Sequence, residues 1–424
     1  MVIMLLAVVV FVVAYILIIS EKFPPSVIAI LGGVIMIVFP IMTQENAIRY
    51  IDFNTIGLLC GMMIIVAVMR RTGVFEYLAI RTIKAVGAIP WRILVALSIL
   101  TAGMSAMLDN VTTVLIIVPV TFAITDALRL RPTPFLIAEI LFANIGGTAT
   151  LIGDPPNILI GNSAQIGFLD FIFHNTPVVA ACGLFVLLVL RLLYGRELGQ
   201  RRDAEDILAG FDETKVLGDR RFLSKSLGVF VLVLVGFATH EITHVGLATI
   251  SLGGGFVLLL ITGVRIEDIL KEVEWATLFF FIGLFILVGG LEVTGVISLL
   301  SRQLLEVVEG EAAMTMAVLW ISAIASPIVD NVPFTASMIP IVKNVGEISG
   351  IALEPLWWAL SLGACLGGNG TIVGASANIV VASYARRNDC PLGFVAFLKV
   401  GLPIMLGTVV IAAFYLYLVH LVSW

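Results

Sequence analysis

The chain has 424 residues, 60% of them hydrophobic and only 12% charged, with a mean hydropathy of +1.12. Soluble domains carry about twice that charged share, so a soluble globular protein is excluded and no nucleic-acid partner is expected. The formal net charge of −5 decides little, because in a bilayer the placement of charge matters more than its sum.

Apolar runs of about 18 or more residues, each able to cross a hydrocarbon core of about 30 Å, recur from end to end. Hydropathy places spans near 2–20, 24–41, 53–69, 133–165, 174–194, 226–242, 245–263, 275–292, 355–385 and 400–421. The first run, Val2 to Ser20, has no Lys or Arg ahead of it, and Glu21, Lys22 and Pro24 follow in place of a small-residue cleavage pattern. It reads as a retained helix rather than a removed signal peptide. Amphipathic stretches at 73–88 and 294–308 are expected at the membrane interface.

Each amphipathic stretch is followed by an apolar region that carries an acid and an amide: "SAMLDNVTTVLIIVP" within 92–128 and "IASPIVDNVPFTASMIP" within 312–345. Both read as helical hairpins with Asp109–Asn110 and Asp330–Asn331 at their tips. The legs 93–108 and 111–126 span only about 24 Å each. Arg92 precedes the first leg, and Arg129 and Arg131 follow the second. Both ends therefore prefer the same face, and the hairpin is expected to be re-entrant. The spans at 133–165 and 355–385 are too long for one straight crossing. Gly146, Gly147, Gly153, Pro155 and Pro156 break the first, and Gly367, Gly368, Gly370 and Gly374 break the second.

Charge placement supports this map. With each hairpin returning to its own side, every Lys and Arg except Arg49, Arg302 and Lys343 falls on one face, the cytoplasmic one by the positive-inside rule. Both termini then lie outside, in what reads as a prokaryotic plasma (inner) membrane. The hydrophilic segment 195–225 is a cytoplasmic linker. It separates repeat 1 (21–194, after the N-terminal helix 1–20) from repeat 2 (226–424).

The halves repeat in sequence. "DFNTIGLLCG" at 52–61 faces "EWATLFFFIG" at 274–283, and "LDNV" at 108–111 faces "VDNV" at 329–332. "GGTATLIGDPPN" at 146–157 faces "GGNGTIVGASAN" at 367–378, at an offset of 221. Separated matches at a common spacing indicate duplication. On the charge map the first hairpin opens to the cytoplasm and the second to the outside. The expected fold class is thus an all-α polytopic membrane protein of two inverted-topology repeats, with about ten spanning helices, two re-entrant hairpins and two broken helices. In secondary transporters such repeats enclose a site near the midplane.

Backbone that leaves the helix at membrane depth is tolerated only where it is buried or lines a polar cavity. The tips and breaks offer free carbonyls and N–H groups. Asn110, Asn331, Asn157 and Asn378 add neutral oxygens, with Thr112 and Thr335 as hydroxyls, and Ser376 beside Asn378 as a further lining group. An intramembrane carboxylate costs about 2.5–3.5 kcal/mol on insertion scales, so Asp109 and Asp330 must be protonated, paired or bound to a cation. Sodium at Asp109/Asn110 and Asp330/Asn331 is one expectation and a proton is another; helix capping by each Asp is the plain structural alternative. Asp154 has Ala375 as its counterpart and is either an asymmetric coupling acid or a cap on the helix after the break. Glu139, about seven residues into its long helix, reads as an inward-facing functional acid, with a side chain snorkelling to the interface as the alternative. Gly147, Gly153, Gly368 and Gly374 support the breaks.

"HEITH" at 240–244 fits the zinc-protease pattern H-E-x-x-H. It falls at an expected turn between two spans, with His174 and His420 on no evident route to it, so a polar turn is the favoured reading and no enzyme or cofactor is expected. Cys60, Cys182, Cys365 and Cys390 are scattered, without the spacing of a metal site or disulfide framework.

"MLDNVTTVLIIVPVT", "IAEILFANIGGTATLIGDPPNILI", "IVDNVPFTASMIP" and "GACLGGNGTIVGASANIV" resemble the melanosomal P protein family, within the ion transporter superfamily. That superfamily also holds the arsenite permeases, sodium/proton antiporters and, more distantly, sodium-coupled dicarboxylate carriers. The resemblance runs over roughly 25 to 421. It implies inverted repeats, re-entrant hairpins, a homodimer and elevator motion of a transport domain. The dicarboxylate carriers hold sodium on Ser-Asn-Thr tips; here the tips are Asp-Asn, which favours an ion or proton role for the acids. The expectation is a secondary active transporter in the lipid bilayer moving a small inorganic ion, such as arsenite, antimonite, Na⁺ or an anion, against H⁺ or Na⁺. A sodium-coupled carboxylate carrier and an anion channel are the alternatives.

Overall fold

The computed structural model describes residues 1–20, 22–199 and 213–421, and among them the regular structure is entirely helical. The first ten helices are α1 Val2–Ile19, α2 Pro25–Val38, α3 Gln44–Tyr50, α4 Phe53–Arg70, α5 Val74–Val86, α6 Pro90–Met107, α7 Asn110–Ala127, α8 Thr133–Thr148, α9 Pro155–Ala164 and α10 Phe168–Leu198. The next ten are α11 Arg220–Thr243, α12 Leu247–Thr262, α13 Ile266–Leu270, α14 Trp275–Val293, α15 Val296–Val307, α16 Glu311–Val329, α17 Asn331–Ser349, α18 Glu354–Gly367, α19 Ser376–Arg387 and α20 Phe394–Leu416. In order, each helix of the second set corresponds to the one ten places earlier. By this order α1 takes the same place in the first set that α11 takes in the second.

Packing repeats with exchange of partners. Helix α2 packs on α14, and its counterpart α12 packs on α4. Both crossings need glycine. A Cβ on Gly61 of α4 would enter the backbone of α12 at Ser251, and one on Gly283 of α14 would enter the backbone of α2 at Ala29. Small residues let helix backbones approach where side chains would hold them apart, a recurrent device in membranes. Hairpin and broken helix likewise pack within each half, α6 on α8 and α16 on α18.

Among the described residues nine helices are long and apolar enough to cross a membrane, and α2, α8 and α12 are shorter apolar helices. The outer helices present apolar side chains outward, Leu192 at 75% exposure and Leu260 at 83%, as a lipid-facing surface requires. By contrast α8 is buried at every position from Pro134 to Thr148, and α18 from Pro355 to Gly367. The broken helices are the centre of the molecule.

Several boundaries differ from expectation. The hairpin legs α6 and α7 have 18 residues each, about 27 Å of helix, so shortness does not make them re-entrant. Helix α10 starts at Phe168 rather than near 174, because the Asp170 carboxylate accepts from the Gly167 N–H at 3.2 Å and starts the helix there. Helix α11 starts at Arg220, capped by Asp219, which accepts from the Arg221 N–H at 3.1 Å. The 195–225 linker is thereby shortened from both sides, and its middle, 200–212, lies outside the described residues.

Candidate functional site

Each broken helix stops at a glycine turn for a physical reason. A Cβ on Gly153 would stand 2.7 Å from the Gly147 carbonyl oxygen, and one on Gly374 would stand 2.7 Å from that of Gly368. The break folds so tightly that only hydrogen fits. Carbonyls freed there need donors, and the sequence supplies them at matching positions. Asn157 Nδ2 donates to the carbonyls of Thr150 at 2.9 Å and Thr148 at 3.2 Å, and Asn378 Nδ2 to those of Gly368 at 2.8 Å and Thr371 at 2.9 Å. Ser105 bonds the Ala143 carbonyl at 2.6 Å, and Ser326, 221 residues on, bonds that of Ala364 at 2.7 Å. Thr150 and Thr371 tie the breaks to the hairpins through the carbonyls of Ala106 and Pro327.

These bonds correct one expectation. Asn157 and Asn378 do not line the cavity: their amides are spent on the breaks. The Asn157 oxygen accepts from Ser361 at 2.7 Å and the Asn378 oxygen from Asn144 at 2.9 Å.

The tips are capped as the plain reading anticipated. Asp109 accepts from the Thr112 N–H at 2.7 Å and from its hydroxyl. Asp330 accepts from the Val332 N–H at 3.1 Å and the Ser376 hydroxyl at 3.1 Å. Their backbones differ. Asp109 sits in extended conformation, whereas Asp330 has φ 74°, which is strained for a residue with a Cβ.

Asp154 is where the halves meet. It is fully buried and stands at the N-cap position of α9, yet its side chain caps nothing. Instead it takes both tip amides. Asn110 Nδ2 donates at 3.2 Å, and Asn331 Nδ2 donates to both carboxylate oxygens at 3.2 and 3.0 Å. Two hairpins thus end on one interior carboxylate. The expectation that Asp154 caps the following helix is not met, because the amides occupy both oxygens.

A cavity of about 310 Å³ opens in front of this junction. Its polar lining includes Asp109, Asn110, Asp154, Asp330, Asn331 and Ser376, and it adds Glu274, which sequence reasoning passed over. Glu274 precedes α14 and accepts from the Thr277 hydroxyl at 3.1 Å. The signal was available: Glu274 aligns with Asp52, the acid that caps α4. No Lys or Arg is among the described residues lining the cavity.

The remaining expected residues lie apart. Thr112 is tied to Asp109, and Thr335 is buried with no hydrogen-bond partner among the described residues. Glu139 faces inward on α8 and accepts from the Thr121 hydroxyl, but it does not reach the cavity. "HEITH" is the last turn of α11, not a loop, because His240 and Glu241 continue the helix to Thr243 before His244 turns left-handed. Among the described residues no three His, Cys, Asp or Glu side chains are placed to hold a metal. His174 and His420, unconnected in sequence, stack together at 5.4 Å, with His174 against Trp358 at 4.6 Å.

Apolar outer helices around two broken helices, with an acid-lined cavity between the breaks and the tips, define an integral membrane transporter. The pattern of the citrate transporter (CitMHS) family matches residues 15–363, and the chain belongs to that family, a family of secondary transporters. An uncharacterized transporter of Mycobacterium tuberculosis is 40% identical over 98% of both chains. The P protein of Sus scrofa is 33% identical over 96% of this chain, which spans 58% of that protein. The Alcanivorax borkumensis YdaH transporter shares the fold, with a TM-score of 0.60 over 96% of this chain and 98% of that one at 14% identity.

Proposed function

We propose that this secondary transporter couples a cation, H⁺ or Na⁺, to the movement of a small inorganic ion through the cavity in front of Asp154. The observation that carries the reading is the convergence of both tip amides on that one buried acid. A carboxylate at membrane depth needs a proton, a partner or a cation. Asp154 has only neutral partners, so a cation in the cavity completes its compensation. Asp109 and Asp330 would take the coupling ion at the tips, with Glu274 in the same cavity. Elevator motion of the buried hairpins and broken helices against the outer helices, and a homodimer, are proposed from the family resemblance, as are outside termini from the charge map.

The family description brings citrate to this chain as a second reading. Four carboxylates and no lining Lys or Arg repel a free tricarboxylate, so such a cargo would enter only with its charge offset by protons or bound cations. Arsenite held by three thiolates has no support among the described residues, where Cys365 lies alone beside Asn157 at 3.5 Å. The test is uptake by proteoliposomes of arsenite, ²²Na⁺, chloride and citrate, with Na⁺ and pH gradients set independently. Concentrative uptake of one cargo that reverses with one cation gradient is expected. Downhill flux indifferent to both gradients would instead mean a channel.

A further inference from the structure

The two tip amides look equivalent by sequence, but the bonds behind them are not. Among the described residues Asn331 Nδ2 bonds only Asp154, at 3.2 and 3.0 Å. Asn110 Nδ2 is shared between Asp154 at 3.2 Å and Asn144 Oδ1 at 3.3 Å. Asn144 cannot turn, because its own Nδ2 donates at 2.9 Å to both Asn369 Oδ1 and Asn378 Oδ1. Asn378 is fixed in turn by donating to the carbonyls of Gly368 and Thr371. Reversing Asn110 would set its oxygen against the oxygen of Asn144. Asn331 has no such second restraint.

An ionised carboxylate only accepts; a protonated one also donates through its O–H. With Asp154 ionised, both amides point their N–H groups at it, which leaves Asn331 Oδ1 without a donor among the described residues, on a side chain that lines the cavity. We propose that protonation of Asp154 reverses the Asn331 amide while Asn110 stays fixed, so that the cavity exchanges an acceptor for a donor. This rests on the reading that a cation is coupled at this site. A proton from the cavity adds to one Asp154 oxygen. The new O–H donates to Asn331 Oδ1 after the amide turns about its Cβ–Cγ bond, and the other Asp154 oxygen keeps the bond from Asn110. No covalent bond changes except the O–H that forms. A single proton supplies a single donor, so only one amide can reverse, and the network selects Asn331.

The consequence is a change of ligand preference. Ionised, the site presents two amide oxygens and the carboxylates, a cation site. Protonated, it presents the Asn331 NH₂ as a donor suited to an oxygen-bearing cargo. The titratable groups that face Asp154 are the carboxylates of Asp109 and Asp330 at the tips and the buried Cys365 thiol of α18; Glu274 lines the same cavity.

The experiment is solid-state NMR on the full chain in liposomes, with side-chain ¹⁵N-labelled Asn and ¹³C-labelled Asp, titrated between about pH 4 and pH 9. Asn110→Gln and Asn331→Gln assign the amide signals, and Asp154→Asn assigns the carboxyl. The Asn331 amide signal is expected to shift with the same midpoint as the Asp154 carboxyl, while the Asn110 signal holds still. In Asp154→Asn the Asn331 signal should lose its pH dependence. Equal shifts of both amides, a still Asn331 while Asp154 titrates, or an Asp154 that does not titrate in this range would overturn the proposal. Gradient-driven ²²Na⁺ and proton flux in the same liposomes reads the coupling separately, so loss of coupling and absence of the amide reversal are distinct results.

Discussion

Asp154 and Ala375 occupy equivalent points of the two breaks and share one backbone conformation, φ −141°, ψ 131° against φ −153°, ψ 145°. Both are fully buried. Much of what surrounds them is duplicated: the glycine pairs, the clamp amides, the Ser and Thr ties to the hairpins, and the Asp-Asn tips. The carboxylate at the break is single, and so is Asn144, whose counterpart is Cys365. The duplicated parts build the pocket, whereas the unduplicated acid gives it a buried carboxyl that the tip amides of both halves reach. A two-fold structure acquires one shared acid by placing it at only one of two equivalent positions.

Substitutions can break or sharpen that comparison. The largest effect is expected from Asp154→Ala, which removes hydrogen bonds to a charged group worth about 1.5–3 kcal/mol each. Gradient-driven transport should fall by about 100-fold or more, and retention of half the wild-type rate would remove Asp154 from its central place. Adding Ala375→Asp to that variant moves the acid to the equivalent point. Because the backbones match and an Asp-Asn tip stands before each break, part of the transport is expected to return, on the order of a tenth of wild type. No recovery in a folded double variant would show that the surroundings of the two positions are not interchangeable. Glycine pairs should respond alike: Gly153→Ala and Gly374→Ala each force a methyl against a carbonyl at 2.7 Å. A loss of about 1–3 kcal/mol of stability is expected for both, read as lower melting temperatures in detergent, and unchanged melting would contradict the tight turn. The smallest effect belongs to Glu139→Gln. Glu139 lies outside the cavity, so transport should stay within about twofold, and abolished coupling in a stable protein would restore it as a working acid.

Much of the fold was legible because duplication and breakage leave local marks. Glycine and proline within apolar runs, and the same motif at an offset of 221, are sequence facts with direct backbone consequences. The site was legible in parts. Asp109 and Asp330 declare themselves as acids at hairpin tips, but Asp154 was indistinguishable from a cap, because its amide partners come from residues 44 and 177 positions away. Asn157 and Asn378 misled in the opposite direction. An amide near a break can serve either a ligand or the carbonyls the break exposes, and composition does not say which demand comes first. Asn144 carries no motif of its own, although it is polar in the middle of a buried helix, and Glu274 is marked in the sequence by nothing but its alignment with Asp52.

The central claim is that one acid, shared by two hairpin tips, links the cation to the cargo. Proteoliposomes carrying wild type or Asp154→Asn, loaded with whichever probe the wild type accumulates, test it most directly when the Na⁺ and pH gradients are imposed one at a time. The expected result is that the wild type concentrates the probe under one of these gradients and Asp154→Asn, folded and inserted, at most equilibrates it. Concentrative uptake by Asp154→Asn under the same gradient would contradict the account.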